Sequence, residues 1–326
     1  TIYDLASLTK ILSSSLALMK LNEQKQFDYN NKLSYYFPEL NGTNKSDMNY
    51  KDMLTHQSGL PAWIPFWQKT VDKKNSYKNG YYSDSPSDKY PTQVAKKLYV
   101  VKDFNDTIYK QIINSKLEEP GKYVYSDIGY YFSKILIERL AKTSLNAYVE
   151  NQFYKPMDIG LTYLPLNKYP AEQIAPTEND IDFRKQQIRG HVHDQGAALL
   201  GGVAGHAGLF GNANDVAVIM QMLLNNGKYA GVQLLDSSVV KQFTSSHYAN
   251  NRRGLCFDKP EFDDKKDSPV TKECSLQSFG HSGFTGTFAW ADPANGLIFV
   301  FLSNRVYPSA DENKLAKLGI RGKIHR

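Results

Sequence analysis

Apolar residues recur at helical spacing in the opening segment. Leu5, Leu8, Ile11, Leu12, Leu16 and Met19 share one face, which predicts a helix over 4–22 with one buried side and Asp4 able to cap its start. The same period returns at Ile128, Tyr131, Phe132, Ile135, Leu136 and Leu140, after a Pro120-Gly121 turn and with Ser126 or Asp127 as cap. It returns again at Val216, Ile219, Met220, Leu223 and Leu224. Further helices are expected over about 92–115 and 145–160, with a closing one over 311–325. Near-continuous apolar runs mark strands at 279–290 and 297–303, joined through Asp292-Pro-Ala-Asn-Gly296 as a hairpin. The intervening stretches have no clean period. Residues 28–60 read as short elements and turns. Residues 61–92 read as a long surface loop or lid, in which Trp63, Phe66 and Trp67 either wall a substrate or pack on the core. Residues 161–213 read as mostly loop, ending in the glycine-rich run 201–211, which suits tight packing behind a functional site.

A chain of 326 residues with 41% hydrophobic and 22% charged side chains is a globular protein with a sizeable core. The net charge of +6 is mild for this length. The lysines are scattered among Asp, Asn and Tyr, which is a solvated surface and not a nucleic-acid groove. No stretch is long and apolar enough to span a membrane, and no signal peptide is visible; Thr1 makes the start look trimmed. Cys256 and Cys274 flank a charged loop over 258–272, and a disulfide or two free thiols fit equally well. The 22 tyrosines would suit a carbohydrate or cell-wall partner.

Candidate chemistry begins with Ser7 and Lys10. At i and i+3 on a helix, the hydroxyl and the amine lie on one face. A lysine desolvated by packing tends to lose its proton and could activate the serine, while unpaired helix N–H groups suit a developing oxyanion. The same spacing recurs in Ser238-Val-Val-Lys241, on an expected surface helix, so spacing alone is a weak signal. The first copy has company: Tyr125-Ser126-Asp127 at a turn before a helix, and His281-Ser282-Gly283 on a strand, followed by Phe284-Thr285-Gly286-Thr287. There is no Gly-x-Ser-x-Gly elbow, and the glycine-rich run lacks a phosphate-loop ending. His191, His193, Asp194 and His206 match no zinc spacing, so no metal and no organic cofactor are expected.

These pieces, in this order, resemble the serine β-lactamase and penicillin-binding-protein family, in its class C and esterase-like branch. The likeness covers essentially the whole chain. It includes Asp4-Leu-Ala-Ser-Leu-Thr-Lys10, Leu54-Thr-His-Gln-Ser-Gly-Leu-Pro61, Pro120-Gly-Lys-Tyr-Val-Tyr-Ser-Asp-Ile-Gly129 and Gly280-His-Ser-Gly-Phe-Thr-Gly-Thr287. Val192-His-Asp194 with Gly201-Gly-Val-Ala-Gly-His-Ala-Gly-Leu-Phe210 resembles a subgroup that contains penicillin-binding protein 4B and domains following a family 3 glycoside hydrolase module.

The resemblance implies a single α/β (α+β) domain over 1–326, β-lactamase/transpeptidase-like. A helical lobe would span roughly 20–200. A sheet lobe, antiparallel with helices on its faces, would span roughly 201–326 and include helix 4–20. Ser7 would be acylated, Lys10 and Tyr125 would handle its proton, and the N–H groups of Ser7 and Phe284 would form an oxyanion hole. His281, Ser282 and Gly283 would line the cleft from the strand. Two positions depart from the pattern: Asp127 stands where many relatives carry Asn, and a carboxylate there can hold Lys10 charged and make it a worse base; His281, partly charged at neutral pH, stands where many carry Lys. The implied activity is hydrolysis of D-alanyl peptides, β-lactams or esters, in a bacterial periplasm or at a cell surface, with a peptidoglycan-peptide substrate. The other reading is a penicillin- or peptidoglycan-binding receptor that does not turn over. The family's usual first strands are not in this sequence, so the fragment alone is expected to be unstable or poorly active.

Overall fold

The computed structural model describes residues 1–263, 265–311 and 313–325. Its hub is the serine helix, which runs from Leu8 through a π turn at Lys10–Ser14 into an α-helix at Ser15–Glu23. Every residue from Leu8 to Met19 is buried, so this helix is enclosed on all sides and not half-exposed. Ile128–Ala141, Leu145–Val149 and Ser237–Thr244 pack around it. The π turn has a local cause: the Tyr154 hydroxyl donates to the Leu12 carbonyl at 2.8 Å, drawing it from the regular ladder. Buried Ser13 accepts from Tyr163 (2.8 Å), and Ser14 donates to the Gly205 carbonyl (2.7 Å). The glycine-rich run packs tightly here, because a Cβ at Gly205 would lie 2.3 Å from the Tyr130 carbonyl oxygen.

The helix starts later than its periodicity suggests. Tyr3–Asp4 is a strand, paired antiparallel with Leu209–Gly211, which in turn pairs with Thr162–Tyr163. Asp4 therefore does not cap the helix. Its buried carboxylate accepts the Ala6 N–H at 2.8 Å and the His193 N–H at 2.6 Å.

The main sheet is antiparallel and orders Phe279–Ser282, Phe288–Asp292 and Leu297–Phe301. The expected single strand over 279–290 is thus two strands, separated by a tight turn. Gly286, at φ +97°, closes it by donating to the Gly283 carbonyl at 3.0 Å. Helix Ala213–Leu224 covers one face through Val216, Ile219, Met220 and Leu223. On the last strand Ile298 and Val300 join the main core, while Phe299 and Phe301 join a small cluster with Val270, Phe288 and Trp290. Its outer edge has no strand partner among the described residues, and Leu297 is 52% exposed.

The 92–115 region is not one helix. Thr92–Ala95 and Leu98–Val100 are strands, joined with Tyr82–Ser83 in a small sheet, and only Phe104–Ile113 is helical. Lys97, at φ +52°, makes the turn that breaks the helical reading. The 145–160 helix ends in a second π turn at Glu150–Tyr154. Residues 161–213 contain further short elements: strands Glu178–Asp180 and Gln186–Ile188, and a helix at Gln195–Leu199. The closing segment is two short helices, Lys314–Lys317 and Ile320–His325. In the 61–92 region Phe66 is buried and Trp67 stacks on Phe183 (5.5 Å), which is core packing; Trp63 remains 47% exposed. Both cysteines are free thiols.

Candidate active site

Ser7 lies in the turn just before the helix, next to Ala6 in the left-handed region at φ +46°. A non-glycine residue in that region is strained, and the Asp4 carboxylate holds it there through the Ala6 N–H. Lys10, one turn on, is fully buried, and its Nζ donates to Ser7 Oγ at 2.8 Å. The same amine meets Asp127 Oδ1 at 2.6 Å and the His206 carbonyl at 3.4 Å, with the Tyr125 and Tyr130 rings 5.0 and 5.2 Å away. Burial opposes its charge, but Asp127 and Tyr125 outweigh burial and hold the amine above its usual range. Lys10 is therefore held as an ammonium, the state a carboxylate at 127 favours, and not as the deprotonated base that burial alone suggests.

Tyr125 reaches this pair from a second segment. Its hydroxyl faces Lys10 and Ser7; burial raises the phenol above its ordinary value while Lys10 pulls the other way. The segment is templated by the Thr-His-Gln-Ser-Gly block. Val124 N–H donates to the His56 carbonyl (2.8 Å), Gly121 to Gln57 (2.8 Å) and Glu118 to Gly59 (2.7 Å). Ser126 N–H donates to His56 Nδ1 at 3.1 Å, and the His56 ring lies 4.6 Å from that of Tyr125. Ser126 Oγ takes the Ile128 N–H at the helix start, which leaves the Asp127 side chain free to face Lys10.

The third segment is the strand and turn at 279–287. His281 is buried, with its ring 5.8 Å from Tyr125. Its Nδ1 lies 2.7 Å from the Ser282 carbonyl, which can only accept, so Nδ1 carries the proton. Burial, then Arg253, then Lys10 push its pKa down to about 3. His281 is neutral at pH 7, a correction to the partly charged histidine expected. Ser282 is exposed and Gly283 is buried. The turn is pinned to the serine segment: Thr285 Oγ1 donates to the Asp4 carbonyl (2.7 Å) and Thr287 Oγ1 to the Leu5 carbonyl (2.9 Å). Among the described residues, neither the Ser7 nor the Phe284 N–H has a protein acceptor. Phe284, 55% exposed, is braced between the His193 ring (5.4 Å) and the Arg305 guanidinium (4.3 Å).

Ser7, Lys10, Tyr125, Asp127 and His281 thus meet around one point, and the turn carrying Ser282, Gly283 and Phe284 docks beside them. Ser238 and Lys241 are both exposed. His206 pairs with Asp194 (2.8 Å), which caps the Gln195–Leu199 helix, and His193 pairs with Glu178 (3.1 Å). These residues serve as braces, and among the described residues no group of three or more His, Cys, Asp or Glu side chains could hold a metal. Sequence reasoning overlooked Asp4 as a turn brace, His56 as a support for Tyr125, and the buried Arg253. His56 had a signal in its motif block; Arg253 had none.

A sequence model of the Beta-lactamase family matches residues 1–321. A protein of Escherichia coli K12, provisionally named a D-alanyl-D-alanine carboxypeptidase, is 32% identical over 96% of this chain and 71% of its own length. Among solved structures, the octameric penicillin-binding protein homologue of Pyrococcus abyssi aligns with a TM-score of 0.64 at 17% identity, over 99% of this chain and 66% of that one. A penicillin-binding protein homologue of Caulobacter crescentus aligns at 0.63 and 18%, over 93% and 78%. At such identities these two speak for the fold alone. The matched sequence and the shared architecture establish that this chain belongs to the β-lactamase family of serine hydrolases.

Proposed function

We propose that the protein hydrolyses D-alanyl peptides, and related β-lactams or esters, through an ester formed on Ser7. The observation that carries this reading is the 2.8 Å contact from Lys10 Nζ to Ser7 Oγ, with the Tyr125 hydroxyl facing both. Asp127 keeps the Lys10 proton in place, so Tyr125 is the group that must yield one. The proton belongs to the coupled pair, and its base-competent form is a phenolate beside an ammonium. Ser7 Oγ bonds to the substrate carbonyl carbon as its proton passes to Tyr125. The oxyanion is met by the N–H groups of Ser7 and Phe284. Collapse breaks the bond to the leaving group, which takes the proton from Tyr125. Water then repeats the sequence on the ester and frees Ser7. Because the resting pair holds both protons at neutral pH, the rate rises toward alkaline pH.

The relative's name supports a peptide substrate. Cell-wall peptides would place the protein in a periplasm or at a cell surface, and a glycoside hydrolase module in the same polypeptide would suit that role. The test uses a fluorescent penicillin and a fluorophosphonate, followed over time on the wild type and Ser7→Ala. Labelling that appears and decays with product release, and is absent in Ser7→Ala, supports the hydrolase. A label that persists without turnover would make it a receptor. Equal labelling of Ser7→Ala would remove Ser7 from its role.

A further inference from the structure

Tyr125 packs against two imidazoles and a buried guanidinium. The His56 ring is tilted against it at 4.6 Å, the His281 ring lies 5.8 Å away, and the Arg253 guanidinium is 5.8 Å from the ring centre. Arg253 is 1% exposed. Its placement follows from how the 251–258 segment is threaded. Asn251 Nδ2 donates to the Thr55 carbonyl and to Gln57 Oε1, both at 2.9 Å, and Cys256 N–H donates to the Leu54 carbonyl at 3.1 Å. Asp258 and Gly280 exchange backbone hydrogen bonds at 2.8 and 3.0 Å. One short segment is therefore tied to the strip bearing His56 and to the strand bearing His281. Arg253 fills the space between.

The charge on Arg253 is only partly matched. Its Nη1 is 3.3 Å from Asp258 Oδ2, but Asp258 also takes Arg252 Nε at 2.9 Å, and Arg253 Nε has no partner. Neither imidazole offers a charge beside the tyrosine. His56 Nδ1 accepts the Ser126 N–H, and His281 Nδ1 is committed to the Ser282 carbonyl. Arg253 is the foremost charged group holding each ring neutral, after burial itself.

We propose that Arg253 is a positioning residue of this active site: a fixed cation beside Tyr125 that stabilises the phenolate, at a site where His281 brings no charge. The inference rests on the reading that Tyr125 accepts the Ser7 proton. The groups around Tyr125 are Lys10, Asp127, Ser7, His56, His281 and Arg253, with Asp258, Tyr123 and Tyr130 around the guanidinium. A unit charge about 6 Å away, at an effective dielectric near 20, shifts an acid by about two pH units. Asp258 removes part of that, leaving about one.

The test measures kcat/KM on a neutral aryl ester from pH 6 to 10 for the full chain carrying Arg253→Met, Arg253→Lys or Asp258→Asn. Arg253→Met is expected to move the acid limb about one unit alkaline. That would slow the enzyme about tenfold at neutral pH, with recovery at high pH. Arg253→Lys keeps the limb in place. Asp258→Asn, which frees the Arg253 field and still leaves Arg252 a carbonyl acceptor, moves it in the acid direction and serves if Arg253→Met does not fold. A pH-independent loss in Arg253→Met, or an unmoved limb in Asp258→Asn, would overturn the role. Either result leaves acylation of Ser7 standing, because that is read from labelling.

Discussion

Asp127→Asn isolates the interaction that decides which group in the cleft holds a proton. The substitution keeps the shape and a carbonyl acceptor for Lys10 Nζ but removes the charge 2.6 Å away. Lys10 is wholly buried and Asp127 is 22% exposed, so the pair is largely desolvated. Breaking a buried pair leaves an uncompensated charge and costs about 3–5 kcal/mol. The retained acceptor and the partial exposure of Asp127 place this case lower, at about 2–3 kcal/mol near pH 7. The pH dependence carries a definite sign. In the wild type the Lys10 pKa is raised, so the pair's contribution is complete below the unfolded value of about 10.4 and is lost only as pH climbs through the folded one. In the variant burial acts unopposed by Asp127, and the folded pKa falls below the unfolded one. Its stability then rises between those two values while the wild type stays level. Urea denaturation at pH 7, 8, 9 and 10 should show the gap between the proteins narrowing with pH. The acid limb of ester hydrolysis should move to lower pH, because Lys10 can now yield the proton. A gap that is constant from pH 7 to 10, with an unmoved limb, would refute the claim that Asp127 keeps Lys10 charged.

Gly283→Ala would place a Cβ 2.1 Å from Thr287 Oγ1 and 2.7 Å from the Leu5 carbonyl oxygen, so the turn carrying the Phe284 N–H must shift. A misplacement of about 1 Å predicts roughly a hundredfold loss in kcat/KM on a neutral ester with near-native melting, and an unchanged rate would remove the turn from the oxyanion site. Asp4→Ala strands the Ala6 and His193 N–H groups, at about 1–3 kcal/mol each. Urea unfolding should report about 2–6 kcal/mol lost, together with slower labelling of Ser7; a loss below about 1 kcal/mol would contradict the brace. The exposed pair Ser238→Ala with Lys241→Ala should leave labelling intact and change stability by no more than about 0.5 kcal/mol, and any fall in labelling would reopen that second copy as a site.

What could be read from the sequence was local. Ser7 and Lys10 are one helical turn apart, so their meeting follows from geometry, and Tyr125-Ser126-Asp127 announced itself as a motif before a clear apolar period. Charge states were legible only in part, because they depend on partners far along the chain. A carboxylate at 127 already signals a charged Lys10 against the pull of its burial, and the structure sets the two in contact, but His281 looks half-charged until Arg253 is found behind it. Asp4 illustrates the same limit. An aspartate before an apolar run suits a helix cap, but its second acceptor site is taken by the His193 N–H, and the residue joins a strand. The 92–115 stretch failed differently: Val94, Leu98 and Val100 fall at intervals that a helix could also bury, and only the left-handed turn at Lys97 separates them into two strands.

The Leu297–Phe301 rung has one further consequence. Both faces of this strand are packed, yet its outer row of amide and carbonyl groups is unclaimed by any described strand. Main-chain pairing asks little of side-chain identity, so any extended peptide offered there can zip on, including a second copy of the same rung. A short β-forming peptide supplied in trans should therefore pair with this rung and tighten the sheet that carries His281.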